Sequence, residues 1–302
     1  MALFVAAIAT LIISGLFWRQ FVLVRTIENE QLQSQSRLLL RGALDWARSI
    51  LREDAATTAY DDLNEPWAQP LAQTRLDQLG ESSALASQAS MSGGIEDAQS
   101  RLNLRNLMRP DGSPDDAQRA VLARLAAELS LPQPTAELIA AYISQSSTPF
   151  TSVNPAGQPA RWSSPLPLVF PEDVGRIPGL DPAVASSLAP YVVVLDDRSQ
   201  VNFNTAPAEV IAAEIEGLTL SDARAMVADR DRIPFRNTGD IRTWLRGRGA
   251  PFSDNDVSVG SRYFFIRGEI RLQRADTRME ALVKRAPTGS VGPVDMLWER
   301  EL

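Results

Sequence analysis

The first eighteen residues, MALFVAAIATLIISGLFW, carry no charged side chain, and charged positions begin to interleave with apolar ones only from Arg19 onward. Coiled as a helix, this run is about 27 Å long, close to the roughly 30 Å of a bilayer hydrocarbon core. Trp18 then sits where an indole prefers the membrane interface. One membrane-spanning anchor is predicted. A secretory signal peptide is the competing reading, but no basic stretch precedes the apolar run and no A-x-A-type site follows it.

Residues 19–54 contain no proline and one glycine, Gly42, and their apolar positions Leu32, Leu39, Ala43, Ala47, Ile50 and Leu51 recur at helical spacing. Residues 1–54 therefore read as one rod of about 80 Å, or as two helices that bend at Gly15 or near Arg25. Arg19 and Arg25 flank the apolar run on its C-terminal side, which by the positive-inside rule would leave the rest of the chain in the cytoplasm. A removed basic leader would reverse that comparison.

The pattern beyond residue 54 is broken. Residues 55–93 read as an irregular connection with a turn at EPWAQP (65–70), and 95–104 as a strand. Helices are predicted over 115–129, 134–145, 181–189, 206–216 and 221–231. Seven prolines between residues 146 and 178 forbid regular helix and predict a surface loop. Near the C-terminus the period changes to two. Phe264, Ile266, Ile270 and Leu272 alternate with Arg267, Glu269 and Arg271, and a second run, Met279, Ala281 and Val283, follows a short polar link, as in an antiparallel hairpin. Val294, Met296 and Trp298 suggest a third strand. The expected class is α+β, with a body at 55–111 and 256–302 and a helical module at 112–255.

Composition removes most chemistry. Among 302 residues there is no histidine and no cysteine, so side chains alone supply no Ser-His-Asp or Cys-His nucleophile, zinc finger or iron–sulfur site. A net charge of −7 opposes bulk attraction to nucleic acid or anionic lipid. Carboxylate pairs remain: Asp61-Asp62, Glu96-Asp97, Asp115-Asp116, Asp196-Asp197, and Asp254 with Asp256. Neighbouring carboxylates diverge on a strand or a helix, so each pair reads first as solvated turn or helix-start charge. Calcium, which accepts oxygen ligands from irregular loops, is the functional alternative, and Asp196, Asp197, Asp254 and Asp256 are its candidates. A carboxylate hydrolase is the remaining enzymatic reading.

Residues 201–249 resemble helix-hairpin-helix modules: VNFNTAPAEVIAA leads to a Gly-turned hairpin, then a helix ending in Arg, then PFRNTGDI. The turn at Glu216-Gly217-Leu218-Thr219-Leu220 has one glycine where nucleic-acid-binding members carry a second, which puts phosphate contact in doubt. Residues 218–250 hold seven Arg against four Asp, a local +3, which keeps a membrane-anchored DNA receptor using Arg224, Arg230 and Arg236 as the rival function.

The order of these stretches, the uncharged start, EPWAQPL, GGIEDAQSRLNLRNL, VNFNTAPAEVIAA and SRYFFIRGEIRL, resembles the minor pseudopilin K family of bacterial type II secretion systems. The resemblance implies a pilin-like fold, a long N-terminal helix packed on a small antiparallel sheet, with a large inserted all-α domain of helix-hairpin-helix or SAM-like type. It implies a non-enzymatic subunit at the pseudopilus tip. Its partners would be minor pseudopilins I and J, other pseudopilins and the inner-membrane secretion platform, with no nucleic acid. Met1 would be the residue exposed by a prepilin peptidase and then N-methylated. Residues 1–18 would cross the inner membrane, 19–54 would continue the helix, and the globular part would be periplasmic. Calcium is also associated with the family. Most pilin-like subunits carry Glu at position 5, a carboxylate costly in lipid unless it pairs with a neighbour's terminal amine. Here it is Val5, as suits a subunit with a neighbour on one side only. Contact with partners is expected through Val5, Leu32, Leu39, Ala43, Ala47 and Ile50.

Overall fold

A computed structural model describes residues 1–79, 86–146, 165–248, 252–290 and 292–302. Helix α1 runs unbroken over Ala2–Thr57, about 84 Å, so the rod is one helix and neither Gly15 nor Arg25 marks a bend. Leu32, Ser36, Leu40, Leu44, Ala47 and Leu51 are buried along it. Their spacing of three or four residues is the 3.6-residue repeat of one helix face, and that face lies on the sheet.

Five strands form the antiparallel sheet: β1 (Leu71–Arg75) and β2 (Ala89–Asp97), then, after a long insertion, three more. The insertion begins with the two-residue strand β3 (Leu102–Asn103). It continues through α2 (Asp116–Glu128), α3 (Thr135–Ser146), α4 (Pro182–Leu188), β4 (Val192–Val193), β5 (Val201–Asn202), α5 (Ala208–Glu214), α6 (Leu220–Arg230), α7 (Thr238–Leu245) and β6 (Val257–Ser258). The chain then returns through β7 (Tyr263–Leu272), β8 (Ala275–Arg285) and β9 (Val294–Glu301), in spatial order β1-β2-β7-β8-β9. The α+β class and the inserted helical domain are as expected. Gln273 and Arg274 alone join β7 to β8, with Leu272 opposite Ala275 and Gln273 at a φ of 53°.

The three layers follow from side-chain alternation. Phe264, Ile266, Ala281 and Val283 meet Leu44, Ala47 and Leu51 of α1, and further along the rod Ile270 and Leu272 meet Leu32 and Leu40. On the opposite face Tyr263, Phe265 and Leu282 pack against Val193 and Leu195 of the insertion. The start of β7 is therefore buried on both sides, which breaks its period of two. The insertion has its own core, built from all its helices that the sequence indicated and from α7, which it did not.

Three expectations change. The strand read at 95–104 is β2, which begins earlier at Ala89, and the supposed irregular segment 55–93 holds β1 and half of β2. The insertion is wider than 112–255: Leu102, Leu104 and Leu107 on one side and Val257 on the other belong to its core. Of the proline-rich loop at 146–178, residues 147–164 lie outside the described part, and Pro171–Arg176 form a short 3-10 turn.

Two glycines face each other across β2 and β7, one crowded by the neighbouring strand's backbone and the other lying beneath α1. Gly93 pairs with Gly268; a Cβ on Gly93 would collide with the Arg267 carbonyl, and one on Gly268 would stand 3.0 Å from Leu40 Cδ2. Gly93→Ala is expected to lose about 1–3 kcal/mol of stability by thermal unfolding, because backbone rather than a flexible side chain must move. An unchanged melting temperature would show that the strand pair yields freely.

Candidate assembly surface

Among the described residues nothing covers the first half of α1. Leu3, Phe4, Val5, Leu11, Phe17 and Trp18 are all exposed, as is nearly every residue through Gln31. An 18-residue window of this helix has a mean hydropathy of 1.9 and no buried residue, long and apolar enough to cross a bilayer. Beyond it, where the inner face of α1 meets the sheet, Leu38 and Trp46 remain exposed on the outer face, at 71% and 54%. Trp46 also borders an apolar groove of about 190 Å³ lined by Ala43, Ile50, Pro66, Pro70 and Gly94. Side chains of this kind, on one surface continuous with the bare rod, mark a face built to be covered.

The six expected contact residues divide differently. Val5 is exposed on the bare rod, but Leu32 and Ala47 are buried against the protein's own sheet, and Leu39, Ala43 and Ile50 pack partly against it. The apolar stripe read as a seam for other subunits is thus the seam with this chain's own body. Leu38 and Trp46, one helical step off that stripe, are the exposed apolar residues.

The calcium candidates are not drawn together into one site. The Lys284 ammonium donates to Asp196 at 3.0 Å and to Asp197 at 2.7 Å, so the one lysine of the chain already stands where a divalent ion would. Asp254 pairs with Arg242, whose guanidinium holds that exposed carboxyl below its ordinary range. Asp256 accepts from Gln118 Nε2 at 2.9 Å, and burial pushes its carboxyl upward. These residues do not fit a calcium ion without displacing a partner already present.

Four acids read as solvated, Asp61, Asp62, Asp97 and Asp115, are buried instead, and two of them hold the insertion to the body. Asp97, at the end of β2, accepts from Gln99 N, Asn202 Nδ2, Thr205 Oγ1 and Ser261 Oγ, and burial still pushes its carboxyl upward. Asp61 is fully buried and pushed up to about 7 by that burial, against the pull of Arg285. Asn202 also donates to the Asp61 carbonyl at 3.2 Å. The Asn-Phe-Asn-Thr start of the hairpin motif is therefore part of the joint between insertion and body. Asn204 fastens that segment to Phe235 by a reciprocal pair of hydrogen bonds.

The hairpin itself is present as α5 and α6, with Gly217 at a φ of +78° in the turn and Thr219 capping α6 through the Asp222 amide. Its basic residues are less free than the sequence suggested. Arg230 is buried and donates to the Phe203 carbonyl, so one of the three arginines proposed for DNA is internal. Arg224 lies 3.9 Å from Glu209.

Two family models, both described as type II secretion system (T2SS), protein K, match residues 100–197 and 201–260, together more than half the chain. The chain is 27% identical to the type II secretion system protein K of Pseudomonas aeruginosa over 315 aligned positions, covering 98% of this chain and 89% of that protein. Its fold is similar to a chain in the crystal structure of the GspK-GspI-GspJ complex from the enterotoxigenic Escherichia coli type 2 secretion system. That likeness has a TM-score of 0.66 at 21% identity and covers 91% of this chain and 98% of the other.

Proposed function

Since the chain belongs to the type II secretion system protein K family, we propose that it is the non-enzymatic minor pseudopilin that caps the pseudopilus tip and helps to nucleate its assembly for protein export. The observation that carries this reading is the division of α1. Its first half is bare and apolar, its second half is occupied by the protein's own sheet, and a large insertion packs on the sheet's opposite face. A subunit of this shape offers its rod to neighbours and obstructs stacking with its bulk. The solved neighbour crystallised with GspI and GspJ supports minor pseudopilins I and J as partners here. Residues 1–18 would lie in the inner membrane with the globular part in the periplasm. Prepilin peptidase would expose Met1 for methylation, and the secretion platform would hold the subunit before assembly. Val5 would ask for no counter-charge in lipid.

Assembly tests this directly. Leu38→Asp with Trp46→Ala is expected to cut co-purification of I and J from detergent extracts by about tenfold, on the scale of a lost aromatic anchor. The melting temperature of the subunit alone should stay where it is, because both side chains are exposed. The intact mass of the extracted wild type should equal the chain from Met1 plus one methyl group. Undiminished recovery of the partners would refute the surface, and an unprocessed start would refute the pilin-type maturation.

A further inference from the structure

Between the charge-free run of α1 and the point where the body takes hold of it lie residues 19–27, RQFVLVRTI. The grip of the body begins at Glu28 and Asn29, which accept from Arg274 in the β7–β8 turn at 3.0 and 2.7 Å, and Leu32 is the first buried residue of the helix. Phe21, Val22, Leu23, Val24 and Ile27 are nevertheless large, apolar and exposed. Successive residues of a helix point about 100° apart, so the four from Phe21 to Val24 turn an apolar surface to every side. One partner helix lying along the rod covers only part of that circumference, whereas a bilayer surrounds it.

The two cations of this stretch differ. Arg25 donates to Glu28 at 3.1 Å and lies 5.4 Å from the centre of the Phe21 ring. Arg19 has no such partner on its helix: no acid occurs before Glu28, and the residues one turn away on either side are Gly15, Leu16, Val22 and Leu23. It stands beside Trp18, whose ring is 6.3 Å from that of Phe21. The helix from Ala2 to Ile27 is about 39 Å long, more than the roughly 30 Å of a hydrocarbon core and close to the 40–45 Å of a bilayer with its headgroups. Sinking it far enough to take Phe21 to Val24 out of water leaves Arg19 at or just below the level of the lipid phosphates, within reach of its long side chain.

We infer that Arg19 binds the phosphate of an anionic phospholipid in the leaflet from which the body emerges, and that the helix is immersed as far as Ile27. The guanidinium presents a planar fork of N–H donors that matches phosphate oxygens. The charge that meets it comes from outside the chain, because its own helix offers no carboxylate within a turn. The overall charge of −7 opposes long-range attraction to such a lipid, so the contact is local and is made by one cation among apolar residues that are already in the membrane. An acid on another subunit's helix would reach Arg19 only after assembly, whereas lipid surrounds it whenever the anchor is inserted. The consequence is a body held close to the membrane surface, with the Arg274 turn next to the headgroups. This inference rests on the membrane-anchored reading of α1 and not on the tip assignment.

The chain has no cysteine, so Val24→Cys accepts a single spin label. Full-length labelled protein is placed, without partner subunits, in vesicles of three parts phosphatidylcholine to one part phosphatidylglycerol. The label should then be relaxed by oxygen and not by a water-soluble nickel chelate, and a label at Gln35→Cys should show the reverse. Native mass spectrometry of the unlabelled protein released from the same vesicles counts the phosphatidylglycerol that stays bound. Arg19→Gln should retain about fivefold less than the wild type, the factor for one basic residue at an anionic surface. Arg25→Gln should change retention by less than twofold, because Glu28 already offsets that charge. A nickel-accessible label at Val24 with oxygen-accessible residues ending at Trp18 would overturn the immersion and, with it, the anchoring depth alone. Equal retention by wild type and Arg19→Gln, or an equal loss in Arg25→Gln, overturns the lipid site.

Discussion

Arg285→Met should cost the folded body about 3–5 kcal/mol, the loss expected when one partner is taken from a buried ionic cluster. Arg285 is fully buried. Besides Asp54 and Asp61 it donates to the carbonyls of Leu51 and Ser261, at 3.3 and 3.2 Å, and its guanidinium lies 4.6 Å from the centre of the Phe264 ring. Methionine can keep the contact with Phe264 but none of the hydrogen bonds, and it leaves two carboxylates facing each other. Because those bonds join α1, the following segment and β8, the whole body should unfold at lower temperature rather than fray at one end. Adding Asp61→Asn to Arg285→Met should recover part of the loss by removing the stranded charge. A loss below about 1 kcal/mol for Arg285→Met would mean that the carboxylates carry no net charge there.

Glu214→Gln is expected to act in the opposite direction. Burial pushes the Glu214 carboxyl up to about 8, with the nearby Asp256 charge adding to it and Arg124 opposing it. Among the described residues its Oε1 has no hydrogen-bond partner. The unfolded chain titrates this group near 4.5, so across the interval from there to about 8 the folded state holds a proton that the unfolded state has lost. Stability from this group is therefore complete at acidic pH and is lost as pH rises through about 8. At about pH 9 the glutamine variant should exceed the wild type by on the order of 3 kcal/mol, and the difference should close toward about pH 5. A variant less stable than wild type at both ends would contradict it.

What the sequence disclosed depended on whether a segment's own pattern determined its place. The unbroken helix and the strands β7 and β8 were readable, because helical spacing and two-residue alternation are local properties. β1 was not: LAQTR is a mostly exposed edge strand with no buried stripe to betray it. Nor was α7, whose eight residues bury only Ile241 and Leu245. The inward stripe of α1 was visible, but whether it met another subunit or the chain's own sheet is decided by Trp67, β2 and, more than 200 positions away, the β7–β8 hairpin. The same distance hid the environment of Asp61, since no local pattern places Arg285 beside it. Family resemblance supplied the assembly role; the residues that Leu38 and Trp46 single out needed the fold.

The insertion enters and leaves the sheet through neighbouring strands, with Asp97 of β2 opposite Phe264 of β7. Its two ends therefore emerge roughly 5 Å apart. Were the intervening residues 98–262 disordered, bringing those strands together would cost at least about 4 kcal/mol of loop-closure entropy. An insertion already folded holds its own ends side by side and removes that cost. The order that avoids this cost is the one in which the insertion folds before β7 docks on β2, so that the sheet would be completed last although its first strands are synthesised first.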